Sequence, residues 1–217
     1  MRVILFGATG MVGQGVLREC LLDPDVTEVL SVGRSPLGRS APRLREIVHP
    51  DLGDLTAIAA ELTGYDACFY CLGVSSIGMS EADYTRISHD LPLHAANVLL
   101  PANPGMTFVY VSGQGTDVNG RQMWARVKGR AEEALLARSE KAYMFRPGYI
   151  QPMHGVRSKT GWYQVPYTLV RPLSPLLMRL FPNAVTTTER LGRAMLNVAR
   201  RGAPVRVLVP RVINAEG

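Results

Sequence analysis

The sequence predicts an α/β protein, built as one doubly wound parallel β-sheet flanked by helices. Its 217 residues are enough for one large hydrophobic core but too few for two ordinary domains. Through the first 150 residues, short runs rich in β-branched and aromatic residues alternate with amphipathic segments, which is typical of a parallel sheet covered by helices. A glycine-rich turn joins the first predicted strand to the first predicted helix. We therefore predict a single domain with a core over residues 1–150, a lid-like segment over 151–185, and a final helix and strand over 186–217.

Hydrophobic periodicity predicts six strands and four helices in this core. The strands are predicted at residues 3–6, 28–32, 45–48, 67–72, 107–111 and 142–146. The helices are predicted at residues 11–22, 55–62, 81–100 and 122–137. Pro92 is expected to bend the third helix, because proline removes one of the helical hydrogen bonds.

The chain beyond Gly148 is irregular, because prolines recur through it. Residues 162–181 are apolar with spaced arginines, which fits a lid over a substrate pocket, a subunit interface or a surface that rests on a membrane. The prolines argue against one continuous membrane-lying helix. Thr186 and Glu189 have the spacing of a capping box, so a last helix is predicted from Thr186 to about residue 200, followed by a strand at 205–209.

The amino-acid composition narrows the possible binding partners of the protein and the cellular compartment in which it is expected. The net charge is +6, but the arginines are scattered without an aromatic-interleaved basic stripe, so we expect no nucleic-acid partner. No apolar stretch approaches the roughly 20 residues that span a bilayer, and the first apolar run is too short for a signal peptide. We expect no membrane-spanning segment. The sequence leaves open whether the chain forms a homo-oligomer.

The three cysteines suggest free thiols. An odd number without an export signal favours a reducing compartment, so a cytoplasmic location is expected. Cys68 and Cys71 form a CxxC pattern, but both lie in a predicted strand, where side chains three positions apart point to opposite faces. We therefore expect no metal and no redox centre at this pair.

The glycine-rich turn carries the most specific signal. Gly7, Gly10 and Gly13 follow the first predicted strand and open the first predicted helix, which is the context of a dinucleotide-binding fingerprint. Such glycines allow a tight turn, close approach of the backbone to a pyrophosphate, and close packing of helix on strand. The helix N-terminus adds N–H groups and the positive end of its dipole. The sequence therefore predicts a Rossmann-type nucleotide site.

The end of the second predicted strand indicates which nucleotide is bound. An NAD site usually has an acidic residue there for the ribose hydroxyls. This chain has Arg34, whose guanidinium can donate two hydrogen bonds to a 2′-phosphate. We therefore predict NADP(H), with Arg39 as a second, solvated loop arginine.

Seven motifs occur in a fixed order over residues 1–150: GATGMVG, VGR, DLGDL, CLG, YVSGQG, VKGRAEEAL and FRPG. In this order they resemble atypical members of the short-chain dehydrogenase/reductase superfamily, in the NAD(P)-dependent epimerase/dehydratase-like branch that includes the Tat-interacting oxidoreductases. The resemblance implies a Rossmann fold, NADP(H), and an oxidoreductase or epimerase-like enzyme for a small carbonyl or sugar-like substrate. The identity of that substrate is left open.

The resemblance also implies a role for each matching position. Ser112 corresponds to the serine that hydrogen-bonds a substrate carbonyl, and Lys128 to the lysine that holds the nicotinamide ribose. The resemblance implies pyrophosphate contacts at Gly7, Thr9, Gly10, Met11 and Val12, a 2′-phosphate contact at Arg34, and adenine contacts at Asp51 and Leu52. It implies contacts to the adenine-side ribose at Cys71, Leu72 and Gly73, and contacts to the nicotinamide at Pro147, Gly148, Tyr149 and Ile150.

One position departs from the family pattern. The family motif is YxxxK, and Trp124 stands where the tyrosine would precede Lys128 by four residues on the same helix face. Reduction of a carbonyl leaves an oxygen that must take up a proton, and an indole N–H donates a hydrogen bond but not a proton. Loss of a positioned acid typically costs a factor of about 10² to 10⁴ in rate.

Two functions therefore stay open. One is an NADP(H)-dependent oxidoreductase in which another group supplies the proton, and the candidates are Tyr149, Tyr163, Tyr167 and His154, each of which also suits a packing or surface role. The other is a non-catalytic NADP(H)-sensing regulatory or interaction protein, which the tryptophan favours.

Overall fold

The computed structural model of the chain describes residues 1–156 and 184–217. The strands in these residues are β1 (Arg2–Phe6), β2 (Glu28–Gly33), β3 (Leu44–Val48), β4 (Ala67–Tyr70), β5 (Thr107–Val111), β6 (Ala142–Phe145), β7 (Tyr149–Gln151), β8 (Val185–Thr187) and β9 (Val207–Leu208). The helices are α1 (Met11–Leu22), α2 (Glu81–Thr85), α3 (Leu91–Ala102), α4 (Met123–Arg138), α5 (Thr188–Arg201) and α6 (Pro210–Glu216). A 3₁₀ helix covers Thr56–Leu62, and a π-helical turn, Arg86–Asp90, joins α2 to α3.

Seven strands form one parallel sheet in the order β3-β2-β1-β4-β5-β6-β9. The chain runs outward from β1 to β3, then returns to place β4 on the other side of β1. This reversal opens a crevice beyond the carboxyl ends of β1 and β4, which is where ligands bind in open α/β sheets. Strands β7 and β8 form a separate parallel pair.

The central strands β1, β4, β5 and β6 are buried on both faces because they are almost entirely apolar, as expected for parallel strands covered by helices, whereas the edge strand β3 is partly exposed. Ile4 and Phe6 point toward α3, α4 and the 3₁₀ helix, whereas Val3 and Leu5 point toward α1 and α5. The strict alternation of β1 side chains between the two clusters follows from the two-residue period of a strand. The predicted doubly wound α/β fold is confirmed.

Aromatic rings fill the core on the α3–α4 side. Tyr70 of β4 stacks on Phe6 with 5.2 Å between ring centroids and also contacts Phe108 and Tyr110. Burial raises the pKa of Tyr70 above its usual value. Its hydroxyl is buried and has no hydrogen-bond partner within residues 1–156 and 184–217, whereas the Tyr110 hydroxyl donates to the Ser88 carbonyl at 2.7 Å.

The third predicted helix is irregular just before Pro92: the π-helical turn Arg86–Asp90 joins α2 to α3, and the Ser88 carbonyl, four residues before the proline, accepts from the Tyr110 hydroxyl. Two other details of the predicted elements are wrong. The N-cap of α5 is Thr187, whose hydroxyl accepts from the Arg190 N–H, whereas Thr186 lies in β8. The last strand is reduced to Val207–Leu208 and is followed by α6, which was not predicted.

The cysteines lie inside the domain as free thiols. Cys68 belongs to the cluster on the α3–α4 side and Cys71 packs against the opposite cluster, as the spacing predicts. Burial raises the pKa of both thiols, so both remain protonated at neutral pH. Among the described residues, no helix is long and apolar enough to cross a membrane.

The Tyr70 hydroxyl provides a test of this packing. Tyr70→Phe should raise the free energy of unfolding by about 1 kcal/mol, because it removes a buried polar group that gains nothing in return. Tyr110→Phe is the matched control and should lower that free energy by about 1 kcal/mol, because it removes a hydrogen bond that is made. Urea unfolding measures both, and equal effects of the two substitutions would contradict the assignment.

Candidate functional site

The turn between β1 and α1 has no room for side chains at two of its glycines. Gly7 has φ +81°, and a Cβ there would lie 2.6 Å from the Leu72 backbone nitrogen. A Cβ at Gly13 would lie 2.1 Å from the Gly7 carbonyl oxygen. Glycine is therefore required at both positions, by the loop after β4 in one case and by the turn itself in the other.

The third glycine has a different role. Gly10 begins α1 as its N-cap, in an extended conformation, and no side chain caps this helix end. The Gly10 N–H donates to the Gly7 carbonyl at 2.9 Å, which closes the turn. A Cβ at Gly10 would meet only that carbonyl, at 3.3 Å, and otherwise would face open space. The uncapped N-terminus of α1 therefore faces the crevice with a glycine at its entrance, which fits a bound pyrophosphate.

The end of β2 presents a cation to the same crevice. Val32 pairs with Phe6 at the end of β1, so Arg34, two residues further on, lies beside the glycine turn. Arg34 is exposed, and no hydrogen bond or ion pair holds its guanidinium within the described parts of the chain. An arginine with free donors at this position fits a phosphate ligand.

The predicted adenine contacts divide into an exposed and a buried residue. Asp51 is exposed and accepts from the Gly53 N–H at 2.8 Å. Leu52 is only 4% exposed and packs in the hydrophobic core, so its side chain supports the loop from within. On the other side of β1, the Cys71 N–H donates to the Phe6 carbonyl at 3.0 Å. Leu72 then packs against Gly7, and Gly73 has open space on the side where a Cβ would project.

Ser112 and Lys128 come together at the end of β5. The Lys128 ammonium donates to the Ser112 carbonyl oxygen at 2.5 Å, and burial lowers the pKa of Lys128 to about 8 although Glu132 opposes this shift. The Ser112 hydroxyl is buried and donates to the Phe145 carbonyl at 3.1 Å. The serine therefore links β5 to β6, and its backbone positions the lysine.

A buried ion pair anchors helix α4 next to Lys128. Glu132, one turn further along α4, is 2% exposed and receives hydrogen bonds from Arg146, which follows β6. The pairing raises the pKa of Arg146 above its usual value, so it is charged at all relevant pH. These two side chains and Asp117 line a cleft of about 260 Å³ between α4 and the loop after β5.

Trp124 occupies the position of the family's tyrosine, but its indole N–H is directed at Gln122. Its indole N–H donates to the Gln122 side-chain oxygen at 2.5 Å. Its ring lies against Gly115, with 3.4 Å between Cη2 and the position of a Cβ on that glycine. Trp124 is therefore a half-buried wall of the loop after β5 rather than a proton donor.

The segment after β6 packs closely against the chain at Ala184. A Cβ at Gly148 would lie 2.3 Å from the Ala184 carbonyl oxygen, to which the Tyr149 N–H donates at 2.9 Å. The Tyr149 hydroxyl is 3.3 Å from the Gln151 side-chain oxygen, and Ile150 is buried in the core. Glycine at position 148 thus permits the pairing that forms β7.

Of the other candidate proton donors, His154 is paired with Glu189. The His154 ring lies 2.7 Å from a carboxylate oxygen of Glu189 and is exposed. That hydrogen bond is the main reason why the pKa of Glu189 is below its usual value. Tyr163, Tyr167 and the apolar segment 162–181 lie outside the described residues.

Sequence reasoning missed Gln114. Its side-chain oxygen lies 2.5 Å from the position of a Cβ on Gly148, and its backbone N–H donates to the Pro147 carbonyl at 2.8 Å. The available signal was weak: a polar residue between two glycines, three positions after the end of β5.

Comparison with known proteins gives several relatives, although no family model matches the chain. Protein fmp52, mitochondrial, from Emericella nidulans is 32% identical over 156 residues, which are 68% of this chain and 66% of that protein. Protein HTATIP2 from Rattus norvegicus is 26% identical over 151 residues, 68% of this chain and 62% of that protein. The matched part of the chain therefore spans slightly less than two thirds of these relatives.

Solved structures share the fold. A UDP-glucuronic acid 4-epimerase from Bacillus cereus, in complex with NAD, superposes with a TM-score of 0.70 over 96% of this chain and 77% of that one, at 10% identity. The strand order and the glycine turn define a Rossmann-type protein. With the relatives added, the chain is similar over about two thirds of its length to the fmp52 and HTATIP2 proteins, on a fold that it shares with a short-chain dehydrogenase family protein and a nucleotide-sugar epimerase.

The relatives overturn the expected location. The cytoplasmic prediction rested on an odd cysteine count and the lack of a signal-peptide pattern. Relatives from Emericella nidulans, Eremothecium gossypii and Scheffersomyces stipitis carry the word mitochondrial in their names. The prediction is wrong because free thiols indicate a reducing environment without distinguishing one reducing compartment from another.

The two kinds of glycine in the turn predict different effects of the same substitution. Gly13→Ala should lower the free energy of unfolding by about 1–3 kcal/mol, because its methyl group overlaps the Gly7 carbonyl. Gly10→Ala should leave that free energy within about 0.5 kcal/mol, because its surroundings are open, but should weaken NADPH binding by blocking the approach of a phosphate. Thermal unfolding and NADPH titration measure the two effects, and equal destabilisation by both variants would contradict these roles.

Proposed function

We propose that the chain is an NADP(H)-dependent oxidoreductase that acts on a small carbonyl or sugar-like substrate. The observation that carries the proposal is Arg34, an exposed guanidinium without a partner in the described residues, beside the glycine turn and in the place where an NAD site would have an acid. A 2′-phosphate is the ligand that would satisfy its donors. The NAD in the complex of the Bacillus cereus epimerase supports a dinucleotide of this class.

The remaining cofactor contacts follow from the strand ends around the crevice. The pyrophosphate would lie on the N-terminus of α1 between Gly10 and Val12, with Thr9 and Met11 beside it. The adenine half would lie between Asp51 and the Cys71–Gly73 backbone. The nicotinamide half would lie along residues 147–150, with Lys128 on its ribose.

Hydride transfer to a carbonyl leaves an oxygen that still needs a proton, and the protein must provide for this second step. When bound, the nicotinamide provides a hydride for the carbonyl carbon, and the carbonyl oxygen then needs a proton. Trp124 cannot give one, because an indole N–H does not ionise in this range. The Lys128 ammonium, with a pKa of about 8, is half-buried at the end of β5 and would stabilise charge on that oxygen, and the proton would come from this ammonium or from water. Catalysis is therefore expected to be slow.

A second function is supported by one contact. The hydrogen bond from Trp124 to Gln122 gives the tryptophan a defined structural place, so the chain would hold the dinucleotide without reducing anything. In this case the chain is an NADP(H)-sensing module, and its nucleotide state would regulate a partner.

Nucleotide preference tests the first part of the proposal. Arg34→Ala should weaken NADPH binding by about ten- to a hundredfold and leave NADH binding nearly unchanged, because a hydrogen bond to a charged group is worth about 1.5–3 kcal/mol. Arg39→Ala, an exposed arginine on the same loop, is the matched control and should leave both affinities unchanged. Fluorescence titration measures them. Tighter binding of NADH than NADPH by the wild-type chain would refute the proposal.

Restoring the tyrosine tests the second part. Wild-type protein should transfer a hydride from labelled NADPH to some members of a carbonyl panel, and Trp124→Tyr should raise that rate by about 10²- to 10⁴-fold. Trp124→Phe, which adds no acid, is the control and should not raise it. A wild-type chain without any transfer, made active by Trp124→Tyr, would favour the sensing module instead.

A further inference from the structure

The side chain of Gln114 lies against the backbone that leads from β6 into the site. Its Oε1 is 2.5 Å from where Gly148 would carry a Cβ, so the amide occupies the space that any larger residue at 148 would need. The Gln114 N–H also donates to the Pro147 carbonyl at 2.8 Å. Backbone and side chain together thus hold this residue on the Pro147–Gly148 turn.

This amide retains its capacity for hydrogen bonds. Gln114 is exposed, and its side chain makes no hydrogen bond to any residue within 1–156 and 184–217. Ser112, two positions earlier, differs in both respects, because its hydroxyl is buried and donates to the Phe145 carbonyl. The Trp124 ring contacts the neighbouring Gly115. Gln114 is therefore the exposed side-chain amide of this loop that lies against Gly148.

We propose that the Gln114 amide binds the carboxamide of the nicotinamide ring and sets the orientation of that ring. The inference rests on the proposed function, in which residues 147–150 run beside the nicotinamide. A primary amide presents one acceptor oxygen and two N–H donors, so two amides can exchange two hydrogen bonds. A Cβ at position 148 would collide with the Gln114 Oε1, so glycine there lets the amide lie beside the turn that would run along the nicotinamide. Gln114 is thus a positioning residue for the cofactor rather than a catalytic one.

Removal of the Gln114 amide should therefore weaken only the contacts at the nicotinamide end of the cofactor. Loss of one or two neutral hydrogen bonds should weaken binding by about three- to tenfold. The loss should affect NADPH but not 2′,5′-ADP, which carries the same phosphate and adenine groups and has no nicotinamide. It should be smaller for the 3-acetylpyridine analogue of NADP than for NADP, because the acetyl group keeps the carbonyl oxygen but has no N–H to donate to Gln114.

The experiment compares the full-length wild-type chain with Gln114→Leu, which has a similar size and no polar atoms. Calorimetric titration gives dissociation constants for NADPH, 2′,5′-ADP, NADP and the acetylpyridine analogue. Asn119→Leu, an exposed amide on the same loop, is the matched control and should change none of them. An unchanged 2′,5′-ADP affinity also reports that Gln114→Leu is folded.

The possible outcomes distinguish a failure of this inference from a failure of the proposed function. A three- to tenfold loss for NADPH and NADP, with 2′,5′-ADP unchanged and a smaller loss for the analogue, supports the inference. If Gln114→Leu binds NADPH as the wild type does, or loses affinity for 2′,5′-ADP to the same degree, the inference fails and the proposed function stands. If the wild-type chain binds neither NADPH nor 2′,5′-ADP, both fail.

Discussion

The close approach of Gly13 to the Gly7 carbonyl is the constraint on which the site depends. It brings the first turn of α1 onto the end of β1, at the one place where the strand order of the sheet reverses. The same turn also receives the loop after β4, because Gly7 leaves no room for more than a hydrogen atom beside Leu72. Two strand ends and one helix N-terminus meet there, and the crevice between them fits a dinucleotide phosphate.

A buried ion pair fixes the other half of the site, around Lys128. Helix α4 carries Trp124, Lys128 and Glu132 at four-residue intervals, so all three lie on one face. The buried pair of Glu132 with Arg146 ties that face to the end of β6. Because Lys128 lies one turn before the pair, its ammonium reaches the Ser112 carbonyl and experiences burial without a direct carboxylate partner. Its lowered pKa is a consequence of this placement.

The two halves differ in how completely they follow the family. The nucleotide half has the three glycines and the arginine that the sequence predicts, and the packing explains why Gly7 and Gly13 must be glycine. The reacting half has kept the lysine but has a tryptophan bound to Gln122 and a serine bound to Phe145. Any hydride transfer by this chain would therefore need a proton donor that the family motif does not supply.

Much of the fold could be predicted from local pattern, and the failures have local causes. Helix α1 and strand β5 were predicted to the residue, because their apolar periodicity and flanking glycines leave no alternative. The N-cap of α5 was assigned one residue too early, because Thr186 and Thr187 both have suitable hydroxyls and only the pairing of β8 with β7 decides between them. Helix α6 was missed since it is short and shows little periodicity.

The sequence by itself determined the α/β class, the glycine turn, Arg34 as the candidate phosphate ligand, and the replacement of tyrosine by Trp124. These depend on residue identity and spacing within one strand or helix. Only the tertiary structure decided that the Ser112 hydroxyl is used by β6, that Glu132 pairs with Arg146, and that Gln114 lies on Gly148. Each of these contacts joins segments more than ten residues apart, and their geometry follows from how the strands and helices pack.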